Sequence, residues 1–168
     1  FHSSFCQSEL DSIEKSIKKI LEDTNKVNSL NTLSRSHFDL TNYEKATLIG
    51  KQSLELAEKL HFKKGTALAL NNIGISYYKL NEYQKSLGYH LNALTIRIEL
   101  KNKKDISASY NNIGNVYEGK ADYNLALEYK TKALKLREEI GDTKGIAGSC
   151  NGIANIYSSL HDYPKALE

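Results

Sequence analysis

Methionine and tryptophan are absent from these 168 residues, and proline occurs once. With a single proline the chain can form long uninterrupted helices. Only two cysteines occur, Cys6 and Cys150. Their separation gives neither a metal-ligand spacing nor a disulfide framework, and Cys150 occupies a repeat position that predicts core packing. No apolar run approaches the roughly 18 residues that a membrane span requires. Any membrane connection would therefore run through segments outside this sequence. The 23 basic and 20 acidic residues leave a formal charge of +3, spread along the chain. The dense basic stripe that a nucleic-acid backbone demands is missing, so nucleic acid is not an expected partner. Also missing are a phosphate-cradling glycine loop, a Cys–His pairing and a nucleophile beside an orienting base, so neither catalysis, a cofactor nor a metal is expected. The sequence starts without methionine and stops at Glu168 partway through a helical pattern, which reads as a fragment of a longer protein.

What is present is a period of 40 residues. Asn71-Asn72-Ile73-Gly74 recurs as Asn111-Asn112-Ile113-Gly114 and, more loosely, as Asn151-Gly152-Ile153-Ala154. Units at 65–104 and 105–144 match at 13 of 40 positions, and a partial unit at 145–168 matches the preceding one at 11 of 24, which fixes the register. A drifted unit at 25–64 keeps Leu30, Asn31, Leu40, Tyr43 and Leu54. Such a period marks an array of stacked supersecondary units, each unable to bury its apolar face alone.

Within the third unit, Ile106, Tyr110, Ile113 and Tyr117 recur at helical spacing and predict one helix with this stripe inward. Asp122 is a good N-cap for a second helix, and Gly141 a good left-handed terminator for it. In the fourth unit Asp162 and Pro164 mark the same start. Ahead of the repeats, Leu10, Ile13, Ile17, Ile20 and Leu21 predict a capping helix over 8–22, within a segment 8–24. Residues 1–7 stand apart as a leader. They read either as the end of a secretory signal or as an ordinary disordered start.

The residues Tyr110, Ile113-Gly114, Tyr117, Tyr123, Ala126, Tyr129 and Ala133-Leu134 resemble the tetratricopeptide repeat, and Leu70, Ile73-Gly74, Tyr77, Tyr83, Ser86, Tyr89 and Ala93-Leu94 repeat the match. The resemblance implies an all-α, right-handed superhelical solenoid of antiparallel helix pairs. The unit exceeds the common 34-residue form by six residues. Together with the link Gly141-Asp142-Thr143-Lys144-Gly145, this length resembles the N-terminal sensory regions of bacterial membrane-bound signalling proteins. Those carry a signal peptide, an extracytoplasmic array and a cytoplasmic histidine kinase or nucleotide cyclase, which implies a periplasmic location here, with a cytoplasmic one as the alternative.

In such arrays the first helices line a concave face. Asn31, Asn71, Asn111 and Asn151 share one phase there and predict a ladder of amides able to pair with an extended peptide backbone. The competing reading is hydrogen bonding between helices, a role that Asn72 and Asn112 fit better. Arg35, Asn115 and Asn155 lie one turn on, and Tyr78 and Glu118 share a second inward phase. His37 stands where other units hold tyrosine and is expected in the core. The expected partner is a protein or peptide segment bound in the groove; the alternative is a second copy of the chain, a homodimer that sets the spacing of an attached output enzyme.

Overall fold

A computed structural model describes residues 2–19 and 21–161. Eight helices make up the fold and no strand occurs among the described residues: α1 (His2–Lys18), α2 (Thr24–Asp39), α3 (Tyr43–Lys59), α4 (Lys63–Lys79), α5 (Tyr83–Glu99), α6 (Lys103–Gly119), α7 (Tyr123–Glu139) and α8 (Thr143–Ser159). The fold class is all-α, built from helix pairs of the expected kind. The chain divides between Leu80 and Asn81 into two compact units, with α1 to α4 in one and α5 to α8 in the other.

The sequence repeats every 40 residues, but the backbone repeats every 20. Residues with positive φ fall at Thr41, His61, Asn81, Lys101, Ala121, Gly141 and His161, all between 51° and 68°. The first six sit in three-residue turns between 16- or 17-residue helices, and His161 follows the end of α8. At the first of these turns the Thr41 amide donates to Phe38 and the Asn42 amide to His37, and the pattern recurs after α3, α5, α6 and α7. This is the Schellman closure, which satisfies the orphan carbonyls of a helix end. The turn within a repeat and the turn between repeats are thus one device, and the six extra residues per repeat lengthen the helices. Side-chain caps start several helices: Asp23, Asn42, Asn102, Asp122 and Asp142 each accept from a first-turn amide. The expected caps at Asp162 and Pro164, like Tyr163 and Ile20, lie outside the described residues.

In the first unit α1 lies against α2, and Leu10 and Ile17 join Val27, Leu30, Leu33, Ile49 and Leu56 in one apolar cluster. Lys45 of α3 reaches back to Glu14 at 3.0 Å and Asp11 at 3.5 Å, tying α1 to α3 as well. The expected bounds of 8–22 need correction. The helix begins at His2, so it runs through the segment set apart as a leader, and it ends at Lys18. Two of the expected seam residues also fall away, with Ile13 43% and Leu21 84% exposed. Ile13 instead lines an open groove of about 310 Å³ between α1 and α2, and Leu21 lies beyond the helix end.

In the second unit the stripe that packs is rotated from the expected one. Ser109, Ile113 and Val116 are fully buried in α6, whereas Ile106, Tyr110 and Tyr117 are half-buried shoulders. Opposite them α7 presents Ala126 and Ala133, also fully buried. Small residues here let the two backbones approach, so the larger aromatics are displaced to the flanks. Tyr117 and Tyr129 stack there with centroids 5.6 Å apart.

Candidate functional site

The polar first-helix residues do not form one uniform surface. In the first unit Asn31 is 2% exposed; its Nδ2 donates to the Gly65 carbonyl of α4 at 3.3 Å, and its own carbonyl accepts from Asn72 Nδ2 at 3.1 Å. Asn31 thus stitches α2 to α4, and its role is intramolecular. This corrects the ladder of equivalent ligand-facing amides, and the reason is geometric: in the first unit that phase points Asn31 at the next first helix, α4. Asn71 is 9% exposed and equally unavailable as a broad contact surface. Arg35 is exposed, with its guanidinium 4.8 Å from the Phe38 ring and 3.0 Å from Asp39. Tyr78 is half-buried.

In the second unit Asn111 is half-buried, while Asn151 and Asn155 on α8 are exposed. Cys150 beside them is also exposed, against the expectation of core packing. The positions of Cys150 and Asn151 correspond to Leu30 and Asn31, which α4 helps to cover in the first unit; no described helix follows α8 to do the same. Exposure here follows from neighbours and not from residue type.

Asn115 and Glu118, both expected to meet a ligand, converge instead on Lys130 of α7. The Lys130 ammonium donates to Asn115 Oδ1 at 2.5 Å and lies 3.1 Å from the Glu118 carboxylate, and its side chain is 4% exposed. Glu118 keeps 32% exposure, so the cluster opens to solvent through its acidic member. The glycines make room for it. A Cβ on Gly114 would come within 2.8 Å of Lys130 Cγ, and one on Gly152 within 2.9 Å of Lys130 Nζ.

Two arginines escaped the sequence reading. Arg97 donates to the Asp105 carbonyl at 3.2 Å and to Ser109 Oγ at 2.7 Å; Arg137 repeats both contacts on Gly145, at 2.9 Å, and Ser149, at 2.5 Å. Each clamps the start of the next helix to the end of its own. Burial holds the Arg97 guanidinium below its ordinary pKa, with the neighbouring Asp105 charge opposing that shift. The signal was in the sequence as Arg and Ser spaced by 12 and repeated after 40. Charged residues near helix ends simply have solvation as their default reading.

Of the histidines, His37 is fully buried, as expected of a core residue, and neither of its ring nitrogens has a partner. His90 is 1% exposed, and burial, aided by Arg97, pulls its pKa down to about 4. Among the described residues no group of three His, Cys, Asp or Glu could hold a metal ion, and no helix is long and apolar enough to cross a membrane.

Comparison with known proteins gives the same architecture. The profile of the tetratricopeptide repeat matches residues 65–139 and 105–168. No curated protein matches by sequence. Among solved structures the chain is similar to BtubC (BKLC) from P. vanneervenii, with a TM-score of 0.83 and 16% identity over 98% of this chain and 70% of that one. A Rap protein complexed with Competence and Sporulation Factor gives a TM-score of 0.86 and 18% identity over 99% of this chain and 48% of that one. A signal-transduction ATPase with a tetratricopeptide repeat sensor, from Pyrococcus horikoshii, gives 0.82 and 19%, over 98% of this chain and 26% of that one. The chain therefore spans about half of the Rap protein and about a quarter of the ATPase.

Proposed function

The chain belongs to the tetratricopeptide repeat family, and from that membership we propose that it is a protein-interaction module, without catalysis of its own, in a larger bacterial signal-transduction protein. The observation that carries this reading is the in-phase recurrence of helix pairs, with Arg35 exposed on the first helix of one pair and Asn111 half-buried on the first helix of another. A peptide or protein segment is the partner class that such side chains suit, because amides and a guanidinium pair with backbone carbonyls without demanding one sequence. Likeness to a Rap protein complexed with a signalling factor and to an ATPase with a repeat sensor supports the signalling context. An output kinase or cyclase elsewhere in the protein, and an extracytoplasmic position for the array, belong to the same proposal.

The asparagine ladder enters this reading in reduced form. Asn111, half-buried, stays a candidate, while Asn31 and Asn71 are buried within the fold. Peptides selected by display on the chain provide the test. Arg35→Glu or, tested separately, Asn111→Ala should weaken the selected peptides at least about tenfold, while the helical signal in circular dichroism stays unchanged. Peptides indifferent to both substitutions would overturn the first-helix site.

A further inference from the structure

Beyond the first-helix face, the second unit has a cleft on another side, formed by α5, α6 and α7. Its volume is about 520 Å³. Ile98, Ile106, Tyr110 and Leu136 form the apolar part, with Ile98 49% exposed. Lys101, Lys103, Lys132 and Lys135 form the rim, and no carboxylate lines it. Two of these lysines already have partners: Lys103 pairs with Glu139 at 3.0 Å and Lys132 with Glu128 at 2.6 Å. Both pairs are about half exposed, so they are weak and exchangeable.

The first unit contains the same place, 80 residues earlier in sequence. There Lys26, Leu30, Gln52, Glu55 and Leu56 occupy the positions of Ile106, Tyr110, Lys132, Lys135 and Leu136. That cleft is about 210 Å³, and the Lys59–Glu22 pair at 2.6 Å spans residues of its lining. Two carboxylates, Glu22 and Glu55, balance its two lysines. The fold therefore does not require a basic apolar cleft at this position. Repeat three has one because of its own residues.

We propose that the α5–α7 cleft docks an acidic segment of a partner protein that inserts one or two apolar side chains between Ile106, Tyr110 and Leu136 and sets its carboxylates against the lysine rim. The occupant is argued from charge complementarity. A rim of four lysines, two of them held only in half-exposed ion pairs, attracts an anionic chain, and the apolar floor rewards side chains that a polyanion lacks. Tyr110 adds a flat surface with a polar tip, suited to an aromatic or leucine anchor. This surface is independent of the first-helix face, so either proposal stands if the other fails.

The probe is a fluorescein-labelled peptide, acetyl-Glu-Glu-Leu-Phe-Asp-Leu-Leu-Glu-Glu-amide, titrated with the whole chain and followed by anisotropy. It should bind, and Lys101→Glu with Lys135→Glu should weaken binding about tenfold or more. Both lysines are exposed, so circular dichroism should report an unchanged fold. Methyl resonances of Ile98 and Ile106 should shift on titration, and those of Ile49 should not. Failure of the peptide to bind, or an effect of the double substitution below about twofold, overturns the proposal. Equal binding of a peptide with serine in place of Leu and Phe also overturns it, since charge alone would then suffice. Binding of phosphatidylserine vesicles that Lys101→Glu and Lys135→Glu abolish, without peptide binding, would reassign the cleft to a membrane surface.

Discussion

At the residue scale the buried polar groups carry the information. His90 is neutral in the folded chain, with a pKa of about 4 against an ordinary value near 6.5. Because the unfolded chain takes up the proton first, this group's contribution to stability is intact above about pH 6.5 and is lost as the pH falls toward 4. The loss should reach roughly 3 kcal/mol. Urea unfolding of the wild type and of His90→Leu at pH 7 and pH 4.5 checks this, and the wild type should lose stability relative to the variant as the pH falls. His37 is also depressed, by burial first and by the Lys45 charge second, while Glu14 and Asp11 pull the other way. Arg97 supplies a second prediction. Truncation to alanine leaves the buried Ser109 hydroxyl and the Asp105 carbonyl short of a donor and should cost about 2 kcal/mol. The double change with Ser109→Ala should cost less than the two single changes combined, measured by a denaturant double-mutant cycle. For Lys130 the asymmetry runs the same way: Glu118→Ala strands a buried ammonium, whereas Lys130→Met should be nearly neutral in a thermal melt.

At the scale of elements, a left-handed residue closes six interhelical turns among the described residues, and only once is it glycine. Thr41 is β-branched and held at φ 60°, a conformation that crowds its Cβ. Thr41→Gly should therefore raise stability by about 0.5–1 kcal/mol, read from the denaturation midpoint at constant slope. Helix ends were legible in the sequence because caps and terminators act locally: Asp122 accepts from the Leu125 amide, and Gly141 takes a φ of 68°. The 20-residue backbone period was not legible. The side chains of alternate helices serve different neighbours and so repeat only every 40 residues.

At the scale of the whole molecule no single centre holds the chain. Ile49 and Ile73 are fully buried in one unit, Ile113 and Ile156 in the other. Ile49→Val and Ile113→Val should each cost about 0.5–1.5 kcal/mol and add within about 0.5 kcal/mol when combined, since they share no partner. Equilibrium denaturation of the single and double variants tests this. The amino-acid sequence alone determined the paired helices, several of their ends and the family, because period, capping and propensity are short-range and repeat along the chain. Which face of each helix is buried was decided only in three dimensions. Asn31 turned inward, Asn111 stayed half-exposed, Lys130 entered the interior and Tyr110 moved to the apolar wall of a cleft. A helix exposes or hides a residue according to the neighbours packed on it, and residues of the same repeat phase meet different neighbours along the array.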